Sequence, residues 1–224
     1  MSKNIKKDNS IIIFLRHGDP ALPGGVYPDH MSMGLSELGK VQARTVASQL
    51  KVFPIDFIVS SPLPRARETA TIISEVTGLN LRIDDRLSER FFPQLSGLDY
   101  QLIAAEIGEE KAESLHRGNS DDISLSESDN LIIYQQQICK SVAEHAATDR
   151  KITLLVSHGG PHDWYLNAVA CSESNRTFQR LFSLGKCRCS IFLYNGSSIR
   201  PKSVLAVNIS ISEAFDLIKE HKPW

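Results

Sequence analysis

Arg16, His17 and Gly18 follow a run of five apolar residues, Ile11 to Leu15, and Ser157, His158, Gly159 and Gly160 follow a second run, Ile152 to Val156. Between them lies SSPLPRARETA at 60–70, which leaves a third apolar stretch and sets Arg65 directly after Pro64. Glu89 comes shortly after the segment LRI at 81–83. Side chains of these types can carry out phosphoryl transfer. A phosphate monoester is a dianion that needs fixed positive donors, and the fork of an arginine matches its oxygens. A neutral imidazole can attack phosphorus, which splits one difficult displacement into two easier ones. A carboxylic acid can protonate the leaving oxygen and later take a proton from the attacking water. No step in that chemistry requires a metal, so no cofactor is expected.

For these residues to meet, the chain must bring several strand ends to one edge. Residues 11–15 (IIIFL), 55–60 (IDFIVS) and 152–156 (ITLLV) read as buried strands, with a short one at 81–83. A helix is expected at 36–50, capped by Ser36, with Leu38, Val41, Thr45, Val46 and Leu50 along its buried face. A second runs from Pro64 to a stop at Gly78, and another from Pro161 to about Val169. The alternation of strand and helix predicts a three-layer α/β/α fold on a mostly parallel central sheet. Strands at 190–194 and 203–210 predict an antiparallel, hairpin-like edge. From about 90 to 150 the pattern turns mostly helical and is expected to be an insertion covering one end of the sheet. Within it, 99–117 reads as one helix, SDDISLSESD at 120–129 as an exposed loop, and a later helix repeats Tyr134, Ile138, Val142 and Ala146. Open α/β sheets hold ligands beyond the carboxyl ends of their strands. Two arginines, two histidines and a carboxylate would converge there.

FLRHG at 14–18, SSPLPRARETA at 60–70, LSER at 87–90 and VSHGG at 156–160 resemble, in order, the four signatures of the histidine phosphatase superfamily. LSELGKVQA at 35–43 is similar to the first helix of the phosphoglycerate mutase-like branch, branch 1. The resemblance covers nearly the whole chain and implies a phosphoglycerate mutase-like fold. It also implies that His17 is the nucleophile that becomes phosphorylated. Arg16 and Arg65 match the phosphate-binding arginines, His158 the second pocket histidine, and Glu89 the proton donor of the L-x-E-R segment. Gly159 would lend its backbone N–H. The chain departs from the pattern at Asp19-Pro20, at Pro93, and in the loop ALPGGVYPDH at 21–30, which leaves the substrate open. The pair His162-Asp163 resembles the acid pair of the distant acid-phosphatase branch, although His158 already holds the strand-end position. Asp84 and Asp85 read as solvated loop charges; His30, His116, His145 and His221 as exposed or partly exposed; Trp164, Tyr165, Phe91 and Phe92 as packing or pocket wall.

The 224 residues suit one domain, with a polar lead at residues 1–10 expected to be disordered. A net charge of -1 with no basic stripe argues against a nucleic-acid partner. No apolar run matches a membrane span or a signal peptide, so a cytoplasmic location is expected. Cys139, Cys171, Cys187 and Cys189 are expected to be reduced and mostly buried, Cys187 and Cys189 sharing one face of a strand. A small phosphorylated substrate is the expected partner, and the oligomeric state is left open. Hydrolysis is the first expectation. A mutase is the alternative, disfavoured by a short tail and by no evident basic pocket for a bisphosphorylated intermediate. A catalytically silent binding module on the same fold is the third.

Overall fold

The computed structural model describes residues 9–116, 123, 125, 130–147, 151–170, 184–195, 198 and 200–221. Its sheet has six strands: β1 (Asn9–Arg16), β2 (Phe57–Ser60), β3 (Leu81–Ile83), β4 (Ile152–Ser157), β5 (Cys189–Asn195) and β6 (Ser203–Ile209). Their order is β3-β2-β4-β1-β5-β6, with the first four parallel and β5 antiparallel to both its neighbours. The register aligns the carboxyl ends of the parallel strands. Arg16 stands opposite Ser157, and Ser60 stands opposite both Val156 and Ile83.

Alternation along the strands divides the core in two. Ile11, Ile13, Leu15, Ile58, Leu154 and Val156 face α1 (Glu37–Leu50), α2 (Pro64–Thr77) and α7 (Ile211–His221). Ile12, Phe14, Val59, Leu155 and Phe192 face α5 (Leu131–Ala146) and α6 (Gly159–Ala170). Burial of β1 on both sides explains its unbroken apolar run. Phe92, Leu95, Ile103, Ala112 and Ile123 form a third, small core with α3 (Tyr100–Ile107) and α4 (Glu109–His116).

Several expectations shift. Leu38 and Val41 are 58% and 55% exposed; the buried stripe of α1 is Gly39, Ala43, Val46, Ala47 and Leu50. Val46 and Leu50 lie on the expected face, and Gly39 stands where a Cβ would meet Asp19 O at 2.1 Å. The helix expected at 99–117 is two, α3 and α4, separated at Gly108 in the left-handed region (φ +88°). The expected insertion divides: α3 and α4 stand over the strand ends, whereas Ile138, Val142 and Ala146 of α5 belong to the sheet core. β1 begins at Asn9, so Asn9 and Ser10 pair with Asn195 and Tyr194 rather than joining the polar lead. The rest of that lead and, apart from Ile123 and Leu125, the loop at 120–129 lie outside the described residues, as does Cys171. The tail forms α7, whose Ile211, Ala214 and Ile218 are buried. Cys187 lies in a turn before β5 rather than on its face.

Asp84 is not a solvated charge. It is 9% exposed and accepts hydrogen bonds from Ser141 Oγ (2.7 Å), His145 Nε2 (3.0 Å), Arg86 Nε (2.8 Å) and Arg86 Nη2 (2.7 Å). The clip ties the segment leading to Glu89 to α5. Burial alone would raise the Asp84 carboxyl, but these donors outweigh it and hold it well below the usual carboxylate range. The folded state therefore binds this proton less readily than the unfolded chain. Its stabilisation is complete above the ordinary aspartate value, about 3.9, and is lost as pH falls below it. Asp84→Ala leaves the buried Ser141 hydroxyl without its acceptor and Arg86 with Glu144 alone. It is expected to destabilise the protein by about 2–3 kcal/mol, read as a lower urea midpoint at neutral pH. The gap from wild type should narrow toward pH 3.

Candidate active site

His17 is the first residue beyond β1. Its backbone N–H donates to Ser157 O of the neighbouring strand end (2.9 Å), and the residue is 3% exposed. Nδ1 lies 2.6 Å from Gly18 O. A carbonyl only accepts, so Nδ1 carries the proton and Nε2 keeps its lone pair. That lone pair receives Arg65 Nε–H at 3.2 Å. Arg65 occupies the first turn of α2, which Pro64 opens without losing a backbone bond. Thr69 Oγ1 donates to Arg65 O (2.8 Å) and accepts from Gly18 N (3.1 Å), fixing the loop after His17 to the same helix. Arg65 Nη1 is buried with no partner among the described residues. Arg16, at the end of β1, donates from Nη1 to Leu184 O (2.5 Å). Asp19 ties that loop to α1: its Oδ2 accepts from Ser36 Oγ (2.7 Å).

Burial holds the His17 imidazole well below its ordinary pKa, and the cations Arg65, Lys186 and Arg16 push it the same way against the Gly18 bond. At neutral pH the ring is uncharged. His158, fully buried, is likewise held low by burial and then by Arg65 and His17. Its ring centroid is 5.0 Å from that of His17, and Nε2 lies 2.8 Å from Ser61 Oγ. Burial also lowers Arg65 to about 10, the neighbouring Arg16 acting the same way and Glu89 opposing.

Glu89 shows the opposite displacement. The residue is half-buried and lines a cavity. Burial raises its pKa, against Arg65 and the N–H groups of Gly160 and Arg90. Oε2 accepts from Gly160 N (3.1 Å) at the start of α6 and Oε1 from Arg90 N (3.1 Å). A Cβ at position 160 would lie 2.1 Å from Glu89 Oε1, so only glycine lets the carboxyl approach. An imidazole kept neutral and a carboxyl inclined to hold its proton face one cavity, a separation that suits acid–base chemistry.

That cavity, about 900 Å³, is lined by Arg16, His17, Arg65, Glu89 and Gly159. Gly159 is the first residue of α6, where a backbone N–H has no acceptor within the helix. His158 is not in the cavity wall; it stands beside His17. Asp163 lines the cavity, whereas His162 is buried against Ser190 Oγ (2.8 Å). Trp164 lines the cavity; Tyr165 and Phe92 belong to the cores. Sequence reasoning missed Arg90 and Lys186, which add two cations, and Ser61. A basic pocket is therefore present, contrary to expectation. It also missed a stacked cluster of three rings, in which His30 meets Tyr27 (5.6 Å) and Phe91 (5.0 Å) and those two meet each other (6.4 Å). Burial, helped by Arg65, pushes His30 down to about 3. Nothing in ALPGGVYPDH signals that stack, because prolines and glycines erase periodicity.

Comparison with known proteins places this geometry. Residues 12–206 match the model of the histidine phosphatase superfamily (branch 1). The chain is similar to agropine synthesis reductase of Rhizobium rhizogenes (31% identical over 66% of this chain and 32% of that protein). It therefore spans about a third of that relative's length. It is also similar to putative phosphoserine phosphatase 2 of Hydrogenobacter thermophilus (25% identical, 71% of this chain and 76% of that protein). Among solved structures, mycobacterial glucosyl-3-phosphoglycerate phosphatase shares the fold, with a TM-score of 0.73 at 24% identity over 90% of this chain and 100% of that one.

Proposed function

The chain belongs to the histidine phosphatase superfamily (branch 1), and from that membership we propose that it hydrolyses a small phosphate monoester through a phosphohistidine on His17. The observation that carries this reading is the state of His17: neutral, protonated on Nδ1, its Nε2 lone pair beside Arg65. Nε2 attacks phosphorus as the ester P–O bond breaks, and Glu89 gives its proton to the departing oxygen. Water then attacks the phosphohistidine, Glu89 takes a proton from it, and Nε2 leaves with the imidazole neutral again. Arg16 and Arg65 hold the phosphoryl oxygens, Arg65 through the buried Nη1 that no described residue engages. Gly159 N–H at the start of α6 adds a donor, and His158 beside His17 stabilises charge on the transferring group.

Away from the cations the cavity wall carries Leu22, Val26, Tyr27, Ile103, Leu115 and Trp164 beside His30, His116 and Asp163. The apolar residues suit the organic part of the ester by contact area. The phosphatase-named relatives support hydrolysis. The four cations around the cavity, Arg16, Arg65, Arg90 and Lys186, favour a second reading, a mutase that returns the phosphoryl group to another oxygen of the same substrate. Release of inorganic phosphate in step with alcohol supports hydrolysis, and an isomeric phosphate ester without release supports the mutase. No helix among the described residues is long and apolar enough to cross a membrane, and a cytoplasmic setting fits that reading. Because side chains supply every charge the mechanism needs, turnover of p-nitrophenyl phosphate is expected to continue undiminished in excess EDTA. Complete loss, restored by one divalent ion, would refute the mechanism.

A further inference from the structure

Leu184 to Arg188 form a turn built directly on the strand end that carries the nucleophile. Cys187 N–H is shared between Arg16 O (3.1 Å) and His17 O (3.3 Å), and Arg16 N–H donates to Arg188 O (3.1 Å). Cys187 is in the left-handed region (φ +54°), and so is Asn208 (φ +58°), which buttresses the turn from β6. Asn208 Oδ1 accepts from Gly185 N (2.9 Å), and its carbonyl accepts from Arg188 Nε (2.8 Å). These are the non-glycine residues with positive φ among those described, and both serve this one turn. Backbone strain of that kind persists where the surroundings enforce it, and it concentrates at functional sites.

What the turn presents is Lys186. Its side chain lines the cavity with Arg16, His17, Arg65 and Glu89, and it makes no hydrogen bond or ion pair with the described residues. Lys186 is half-buried beside two arginines, a concentration of positive charge that an anion would relieve. The next residue, Cys187, donates its N–H to His17 O, which sets Lys186 close to the nucleophile. We propose that Lys186 is a third cationic ligand of the transferring phosphoryl group, acting with Arg16 and Arg65. The proposal rests on the phosphatase reading for its chemistry, but the lysine can be tested apart from it.

The groups facing Lys186 are Arg16 and Arg65, which oppose its charge, and Asp19 and Glu89, which favour it. Burial, with the two arginines, pushes the ammonium down to about 8. A lysine bound to phosphate must be charged, so the contribution is present below that pH and is lost above it. The measurement is kcat/KM for p-nitrophenyl phosphate from pH 6 to 9.5, since its phenolate leaves without the Glu89 proton. Wild type is expected to lose activity above about pH 8. Lys186→Met should fall about 10–100-fold at pH 7 and show no decline near pH 8. Lys186→Arg should keep most of the activity and also remove that decline, a result that damage to the turn would not produce. Lys186→Met within twofold of wild type, or a pH 8 decline retained in Lys186→Arg, overturns the proposal. If wild type shows no turnover, the phosphatase reading fails alone. Calorimetry with inorganic phosphate then decides the lysine: Lys186→Met should bind it about 10-fold more weakly, and equal binding overturns the assignment.

Discussion

His17→Ala is expected to remove phosphate release almost entirely, a loss of about 10⁴–10⁶-fold in kcat, because no other side chain can take over the attack on phosphorus. His158, the nearest imidazole, has its Nε2 on Ser61 and stands outside the cavity wall. The fold should survive. His17 lies beyond β1 rather than within it, and the loop that follows is held by Gly18 N–H on Thr69 and by Asp19 on Ser36. Far-ultraviolet circular dichroism should match wild type. An alkaline quench after mixing with ³²P-labelled substrate should trap label on wild type and none on the variant; acid must be avoided, since phosphohistidine is acid-labile. Label retained by His17→Ala would place the intermediate elsewhere.

Glu89→Gln should slow the phosphorylation of the enzyme by about 10²–10⁴-fold for an alkyl phosphate and far less for p-nitrophenyl phosphate. The amide keeps the shape of the carboxyl and can still meet Arg90 N–H, but it has no proton to give. An alkoxide is a poor leaving group and needs that proton; a nitrophenolate does not. Dephosphorylation uses the same group as a base, so both substrates lose some steady-state rate, and the burst phase separates the steps. Burial holds the Glu89 proton above the ordinary glutamate value, so alkyl-phosphate phosphorylation should decline as pH rises through that raised value, and Glu89→Gln should abolish the decline. Equal slowing of the burst for both leaving groups would exclude Glu89. Asp163 also lines the cavity. If Asp163→Asn showed the leaving-group dependence instead, the acid would be Asp163.

The core of the fold and its reactive end were legible in the sequence because each left a local mark. An unbroken apolar run marked β1 and a nearly unbroken one marked β4, Ser36 and Pro64 marked helix starts, and Gly78 marked an end. Arg16, His17 and His158 could be singled out because they follow those runs at the carboxyl ends of β1 and β4. The face of α1 was partly misread because Leu38 and Val41 outweigh Gly39 and Ala43 in hydrophobicity, although a Cβ at Gly39 would meet Asp19 O. Asp84 was misread because its partners Ser141 and His145 are about 60 residues away, and no local pattern announces such a clip. Lys186 had no signal at all: between Gly185 and Cys187 it looks like any lysine in a connection, and only the pairing of β1 with β5 brings it to His17.

The small core shared by α3 and α4 is separate from the two cores that flank the sheet. Ile103 and Ala112 therefore do double duty, packing that module and shaping the wall that meets the organic half of a substrate. Lineages descending from such a chain can exchange the alcohols they accept by altering a few residues of the module. His17, Arg65 and Glu89, which lie outside that module, would pass to descendants untouched. Divergence of diet with inheritance of chemistry is thus built into how the hydrophobic residues are partitioned.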